Sequence, residues 1–419
     1  MSEHKTDIQR SHLTQQYREI RAATERICHP LATDDYQIQS ITETSPPKWH
    51  LAHVSWFFET FVLPEFDPGF AVHHPAFAYL FNSYYETVGN MQPRPQRGLL
   101  SRPTVKEIYA YRQAVDEQML TLINSISNKR WMEFATRVTL GLHHEQQHQE
   151  LLLMDIKHNL FMNPLLPAYR TDLVPASNKA SQPFNWLEFE GGISPVGHND
   201  IGFAFDNESP RHDQLLQPHK LADRLVSNAE YLAFIEDNGY QRSELWLADG
   251  WYHIRKHGWQ APLYWRQHDD KSWWHFSLAG LQPLPDHAPV CHLSFYEADA
   301  FARWQGKRLP SEAELETRLN NVPVEGNFVD SDLLSPASGS GQWYGDVWEW
   351  TSTPYAPFPG FKPLSGSMGE YNGKFMCNQM TLKGGSCVTQ ANHIRASYRN
   401  FFYPYDRWAF SGLRLAENL

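Results

Sequence analysis

The chain has 419 residues, 41% of them hydrophobic, and a net charge of −11. This length predicts two or three domains with sizeable cores, and an acidic balance without a basic stripe argues against nucleic acid as a partner. The N-terminal stretch MSEHKTDIQR lacks the apolar segment of a signal peptide, and no uninterrupted apolar run approaches the roughly 20 residues needed to span a bilayer. The four cysteines form no C-x-x-C pair. We therefore expect a soluble, cytoplasmic protein.

The first 165 residues predict a helical bundle. Apolar spacing, a proline break at Ser45–Pro47 and a capping box formed by Thr104 and Glu107 mark the boundaries of its helices. Four helices are predicted, at residues 8–30, 48–63, 104–127 and 129–161. Residues 64–104 form a long, aromatic, proline-rich connection, and ordered loops of this length are often functional.

The fourth predicted helix contains the sequence GLHHEQQHQE, Gly141–Glu150. His144 and His148 are four residues apart and therefore lie on one face of the helix. His143 is rotated by about 100° from His144 and is left out of this face. The second helix contains His53 among several aromatic residues, which indicates that its side chain points inward. The pattern alone leaves two interpretations open. The three histidines form a metal site, or His53 is a hydrogen-bonded core residue and His144 and His148 belong to a polar helix face.

The character of the sequence changes after a predicted linker at residues 166–185. From Trp186 onward, short segments alternate with glycine, proline, asparagine and aspartate turns. Two helices stand out, at Asn228–Asn238 and Ser294–Gln305. We expect residues 186–419 to form a loop-rich mixed domain, so that the chain as a whole is of the α+β class.

Two sets of motifs resemble known families. The segments FEGGISPVGHND, CHLSFYEADAFARWQGKRLPSEAELE, GDVWEWT, KGGSC and RNFFYPYDRWAFSGLRLA resemble the formylglycine-generating-enzyme domain, a variant of the C-type-lectin fold. Upstream, KWHLAHVSWFFE and HEQQHQE resemble the DinB-like four-helix bundle with a three-histidine metal site. The combination is similar to the ergothioneine-biosynthetic sulfoxide synthases (the EgtB type), in which the active site lies between the two domains.

The resemblance implies that His53, His144 and His148 bind Fe(II). Three imidazoles also suit Zn²⁺, so the residue types alone do not choose the metal. Glu150 is offset from the histidine face, which favours a supporting or structural role for it over ligation.

The resemblance also implies the reaction. The family joins a thiol sulfur to C2 of the imidazole of hercynine (Nα-trimethylhistidine) and oxidises that sulfur to a sulfoxide with O2. The thiol is cysteine or γ-glutamylcysteine, and the tandem tyrosine described next favours cysteine. No outside reductant is needed, because C–S bond formation and sulfur oxidation together supply the four electrons that O2 accepts.

A proton donor distinguishes this reaction from that of a thiol dioxygenase, which makes a sulfinic acid. Tyr84 and Tyr85, in NSYYETVG, resemble the tandem tyrosine of one family branch. Tyr403 and Tyr405 are the alternatives in the C-terminal domain. The non-catalytic alternative is that Tyr84 and Tyr85 only contribute aromatic packing within the loop.

The substrates require a carboxylate site and a trimethylammonium site. Arg94 and Arg97, three residues apart in MQPRPQRG, match the family arginines that bind the sulfur substrate. Aromatic faces and polar oxygens suit the trimethylammonium group. The candidates for that group are Gln147, Asn400, Phe401, Phe402 and Asp406.

Three alternatives remain open at the level of sequence. A relative acting on histidine in the ovothiol branch would use the same motifs. A non-catalytic metal- or ligand-binding module is possible because fold does not imply function. A copper site at Cys377 and Cys387, as in formylglycine-generating enzymes, would leave the three histidines unexplained.

Overall fold

The computed structural model of the protein describes residues 3–175, 178–180 and 183–419. Residues 176–177 and 181–182 of the predicted linker lie outside the described residues. The chain divides into a helical unit, Met1–Met162 with Ser365–Glu370, and a mixed unit, Asn163–Leu364 with Tyr371–Leu419. Across the described ranges, every helix is too short or too polar to cross a bilayer.

The helical unit is a bundle of long helices with short helices in one connection. Its α-helices are α1 Glu3–Cys28, α2 Pro47–Phe61, α3 Leu63–Phe66, α4 Phe77–Phe81, α5 Val105–Ser125 and α6 Trp131–Phe161. The four long helices α1, α2, α5 and α6 pack against one another, so the predicted four-helix bundle is confirmed. Helix α1 begins five residues earlier than predicted, because its first turns are polar and carry no apolar periodicity.

The connection predicted as one long loop is partly helical. It contains α3, α4 and a 3-10 turn at Arg94–Leu99. The predicted capping box of α5 is confirmed, because Thr104 Oγ1 accepts the Glu107 N–H and Glu107 Oε2 accepts the Thr104 N–H.

Helix α2 lies at the centre of the helical unit, and its residues from Pro47 to Glu59 are buried. It packs against α5 and α6. A Cβ atom at Gly141 of α6 would lie 2.6 Å from Cε1 of Phe58. Glycine at this position therefore lets α6 approach α2 closely, three residues before His144.

A buried ion-pair network fixes α6 in the bundle. The carboxylate of Glu145 is fully buried and accepts hydrogen bonds from Arg21 Nη1 at 2.9 Å and Arg112 Nη2 at 2.6 Å. Thr24 Oγ1 donates a third bond at 2.6 Å. Burial by itself would raise the pKa of Glu145, but the two guanidinium groups lower it, so the carboxylate is ionised. The network ties α6 to α1 and α5.

The mixed unit contains small sheets and short helices. Its strands are β1 Trp186–Phe189, β2 Gly192–Val196, β3 His212–Leu216, β4 His219–Ala222, β5 Trp265–Gln267, β6 Trp273–Ser277, β7 Gly280–Pro283, β8 Gly326–Asn327, β9 Tyr344–Gly345, β10 Trp348–Pro354, β11 Met380–Lys383, β12 Asn400–Phe402, β13 Ser411–Gly412 and β14 Ala416–Asn418. The sheet orders are β1-β4-β14, β12-β11-β10-β13, β2-β3, β5-β6-β7 and β8-β9. The predicted α+β class is confirmed.

The helices of the mixed unit are α7 Asn228–Glu236, α8 Ala248–His257, α9 Phe295–Trp304 and α10 Glu312–Leu319. The sequence predicted α7 and α9 and missed the other two. Helix α8 begins with Ala-Asp-Gly, which is typical of a turn. Helix α10 had a detectable signal, since Ser311 and Glu314 form a capping box.

We expect the substitution Glu145→Gln to lower the free energy of unfolding by about 3–5 kcal/mol, because it removes the buried anion that Arg21 and Arg112 share. The two guanidinium groups then keep only their partly exposed partners, Asp116 and Glu25. Urea denaturation of the metal-free protein measures this change. The control is Glu25→Gln, since Glu25 also pairs with Arg112 but its side chain is 46% exposed; its cost should stay within about 1 kcal/mol. Equal losses in the two variants would contradict the role of Glu145.

Candidate metal centre

Three histidines from α2 and α6 converge inside the helical unit. His53, His144 and His148 offer ligand atoms that all lie within 4.8 Å of one another. The Nε2 atoms of His53 and His144 are 3.2 Å apart. His144 and His148 follow from one turn of α6, whereas His53 comes from α2, so the cluster depends on the packing of these two helices.

Burial keeps the three imidazoles uncharged. It lowers the pKa of His144 to about 3. Burial and the neighbouring His144 lower the pKa of His53 well below its ordinary value, and burial and His53 do the same for His148. A neutral imidazole has the free lone pair that a metal ion requires.

Aromatic rings and a backbone carbonyl fix the orientation of His53. Its ring stacks between Trp49, with centroids 4.6 Å apart, and Trp56, at 5.5 Å. Its Nδ1–H donates to the carbonyl oxygen of Phe81 at 2.6 Å. The predicted inward orientation of His53 is confirmed, and the bond at Nδ1 leaves the lone pair on Nε2, the atom that faces His144.

A second pair of side chains supports His148. Its Nδ1 is 2.9 Å from Nδ1 of His50. Nε2 of His50 is in turn 3.0 Å from Oδ2 of Asp155. All three residues are buried, so the contacts form a continuous internal row from carboxylate to imidazole to imidazole.

The donor set fits a divalent transition metal. Imidazole nitrogens bind zinc at about 2.0–2.1 Å in a tetrahedral arrangement, so two such nitrogens on one ion are about 3.3–3.4 Å apart. The 3.2 Å between the Nε2 atoms of His53 and His144 is close to this value. Three protein ligands also leave coordination positions open, as catalytic metal sites do.

The tandem tyrosines lie close to this cluster through a shared aromatic neighbour. The rings of Tyr84 and Tyr85 stack with centroids 4.6 Å apart, and their hydroxyl oxygens are 3.4 Å apart. The ring of Tyr85, which is fully buried, packs against Trp56 at 5.8 Å. Trp56 therefore contacts both Tyr85 and His53.

Hydrogen bonds hold the loop that carries these tyrosines. Asn82 donates from Nδ2 to the Tyr85 carbonyl and accepts the Tyr85 N–H at Oδ1, each at 3.0 Å. Glu370, which belongs to the helical unit although it is distant in sequence, accepts the backbone N–H groups of Glu86 at 3.1 Å and Thr87 at 2.9 Å.

The two predicted arginines have different surroundings. Arg94 is exposed and donates to the backbone carbonyl of Glu43. Arg97 is buried, lies 3.5 Å above the ring of Trp49, and donates from Nη1 to Ser45 Oγ at 2.9 Å. Because Trp49 stacks on His53, only Arg97 of the pair is one ring away from the histidine cluster.

The remaining candidates lie on α6 and in the mixed unit. Gln147 is half-buried and precedes His148. Phe401 stacks on Tyr355 at 4.1 Å, and Phe402 packs against Trp408 at 5.4 Å. Asn400 Oδ1 accepts the Phe401 N–H, and Asp406 Oδ2 accepts the Tyr403 N–H. Their part in substrate binding stays a prediction.

Sequence reasoning missed His50 and Asp155, although both had a spacing signal. His50 precedes His53 by three residues, and Asp155 follows His148 by seven, so each shares a helix face with a histidine of the cluster. Glu370 had no such signal, because more than 280 residues separate it from the loop it holds.

Comparison with protein families decides the membership of the chain. The model of the sulfatase-modifying factor enzyme 1-like domain matches residues 175–337 and 331–419, which together exceed half of the chain. The chain belongs to this family. The DinB superfamily model matches residues 16–152, the region that contains the three histidines.

Named relatives align with half or more of this chain. Hercynine oxygenase of Mycolicibacterium thermoresistibile is 28% identical to it, covering 98% of this chain and 96% of that protein. Hercynine oxygenase of Mycobacterium tuberculosis is 29% identical over 90% of this chain and 91% of its own length. Ergothioneine biosynthesis protein 1 of Schizosaccharomyces pombe is 30% identical over 52% of this chain and 28% of its own length.

We expect the purified protein to bind one divalent transition-metal ion per chain. The substitution His144→Ala should weaken binding by more than about 100-fold, since loss of even a supporting residue costs roughly 10–100-fold. Calorimetric titration of the metal-free protein with Zn²⁺ measures the affinity. His74→Ala is the control, because His74 is exposed; an equal loss in both variants would contradict the assignment.

Proposed function

We propose that this protein is an iron(II)-dependent sulfoxide synthase of ergothioneine biosynthesis. It joins the sulfur of cysteine to C2 of the hercynine imidazole and oxidises that sulfur with O2. The observation that carries the proposal is the cluster of His53, His144 and His148 in a chain that matches named hercynine oxygenases over nearly its whole length.

Iron(II) is the metal we assign to the three histidines. Imidazole suits iron as well as zinc, and the choice of iron rests on the redox reaction. Bound iron(II) would bind the thiolate and activate O2 for reaction with the two substrates. The chain contributes three neutral ligands, which leave the bound ion its full positive charge and so favour a thiolate.

The reaction balances without a further cofactor. The imidazole C–H and the thiol S–H bonds break, and the C–S bond forms, which releases two electrons. Oxidation of the sulfur to the sulfoxide releases two more. One O2 accepts all four electrons, placing one oxygen atom on sulfur and the other, with the two protons, in water.

Tyr84 and Tyr85 are the proton donors in this proposal. Their hydroxyls are adjacent, and Trp56 packs against both Tyr85 and His53. A tyrosine hydroxyl that donates a proton during oxygen reduction directs the reaction away from the sulfinic acid.

Arg97 is the residue we assign to the carboxylate of the sulfur substrate. Its Nε is buried and has no hydrogen-bond partner within the described ranges. A buried donor without a partner costs about 1–3 kcal/mol, and a substrate carboxylate would remove this cost by accepting its bond. Arg94 is exposed, so the structure supports Arg97 more strongly than Arg94.

Product mass spectrometry after anaerobic loading with Fe(II) tests the proposal. Hercynine is added with cysteine or, in a separate reaction, with γ-glutamylcysteine, and air is then admitted. We expect the hercynyl-cysteine sulfoxide. The γ-glutamyl product would reassign the sulfur donor, and a product from histidine alone would assign the ovothiol-type reaction. No oxygen-dependent product from any of these combinations would contradict the enzymatic function.

We expect Tyr84→Phe and Tyr85→Phe each to raise the amount of cysteine sulfinic acid relative to sulfoxide, because each removes a hydroxyl from the donor pair. The ratio is read from the same mass spectra. Tyr79→Phe is the matched control, since Tyr79 lies in the preceding helix and is 44% exposed. An unchanged ratio in both variants, together with a raised ratio in Tyr403→Phe or Tyr405→Phe, would move the role to the mixed unit.

A further inference from the structure

We infer that His50 and Asp155 are positioning residues that hold His148 in the tautomer required for metal binding. The inference rests on the proposed role of His148 as a metal ligand. It follows from the donor and acceptor capacity of each atom in the row that runs from Asp155 through His50 to His148.

The row begins at an acceptor. A carboxylate oxygen accepts hydrogen bonds, so the contact of 3.0 Å between Asp155 Oδ2 and His50 Nε2 places a proton on that nitrogen. The same Oδ2 accepts the backbone N–H of Ser45 at 2.7 Å. This second bond fixes the carboxylate independently of His50.

The proton on Nε2 determines the other end of the row. An imidazole that carries its proton on Nε2 has its lone pair on Nδ1. The contact of 2.9 Å between His50 Nδ1 and His148 Nδ1 then requires the proton to be on His148. His148 is thereby protonated at Nδ1, and its Nε2 lone pair is available to a metal ion.

His53 reaches the same tautomer by a different route. Its Nδ1–H donates to the Phe81 carbonyl at 2.6 Å. A backbone carbonyl cannot be altered by substitution, whereas both supports of His148 are side chains. The supports of His148 are therefore the ones that mutagenesis can remove.

Such supporting partners typically change metal affinity or activity by about 10–100-fold. We expect His50→Leu and Asp155→Leu each to weaken Zn²⁺ binding by about this factor, because His148 loses the group that selects its tautomer. His50→Gln and Asp155→Asn should weaken Zn²⁺ binding less, since the amide oxygen of each can still accept the hydrogen bond of its neighbour in the row. The double variant His50→Leu/Asp155→Leu should bind Zn²⁺ no more weakly than either single variant, because both residues act on His148 through the same row of contacts.

The measurements are calorimetric titration with Zn²⁺ and the visible absorption spectrum of the Co²⁺ form. A purely structural role would lower the melting temperature but leave the affinity and the Co²⁺ spectrum of the folded protein unchanged. His158→Gln is the control. His158 is buried on the same helix, three residues beyond Asp155, and its Nδ1 bonds to Ser40 Oγ at 2.7 Å.

The outcomes separate this inference from the proposed function. If the wild-type protein fails to bind Zn²⁺ or Co²⁺ at all, the proposed metal site is wrong. If the wild type binds one ion and the folded His50→Gln, Asp155→Asn and leucine variants bind it equally well, the positioning role alone is overturned. A graded loss in these variants with unchanged binding by His158→Gln supports the inference.

Discussion

The close packing of α2 against α6 is the constraint on which the candidate site depends. His53 and the pair His144 and His148 come from different helices, and their ligand atoms meet within 4.8 Å only because the two helices approach closely. Gly141 permits this approach, since a side chain there would collide with Phe58. Glu145 fixes α6 through Arg21 and Arg112, so a stable buried ion-pair network and the histidine cluster share one turn of helix.

The same burial that assembles the cluster gives it its chemistry. Desolvation keeps the three imidazoles neutral, and the hydrogen bond from Nδ1 of His53 to the Phe81 carbonyl leaves its Nε2 lone pair facing His144. The two tryptophans beside His53 serve two purposes. Trp49 and Trp56 enclose His53, and each also contacts a residue assigned to the reaction, Arg97 in one case and Tyr85 in the other. The residues proposed for substrate recognition and for proton donation thus each lie one aromatic ring from His53.

Periodicity and local signals predicted much of this arrangement. The spacing of His144 and His148 placed two imidazoles on one helix face, and aromatic neighbours indicated that His53 points inward, which its complete burial confirms. Long-range pairing was not predictable from the sequence. Nothing in the sequence near Tyr85 indicates that Glu370 holds its loop, and the different burial of Arg94 and Arg97 depends on Trp49 and Ser45 rather than on their own spacing. Helix α8 was missed because its first residues resemble a turn.

The central claim is that the three histidines support a reaction in which O2 both forms the C–S bond and oxidises the sulfur. Its most direct test is the reaction of the iron(II)-loaded protein with hercynine and cysteine under ¹⁸O₂, followed by mass spectrometry of the product. We expect a sulfoxide with one ¹⁸O atom, formed with one O2 consumed per product and no added reductant. A sulfoxide whose oxygen comes from water, or a product that needs an external reductant, would contradict it.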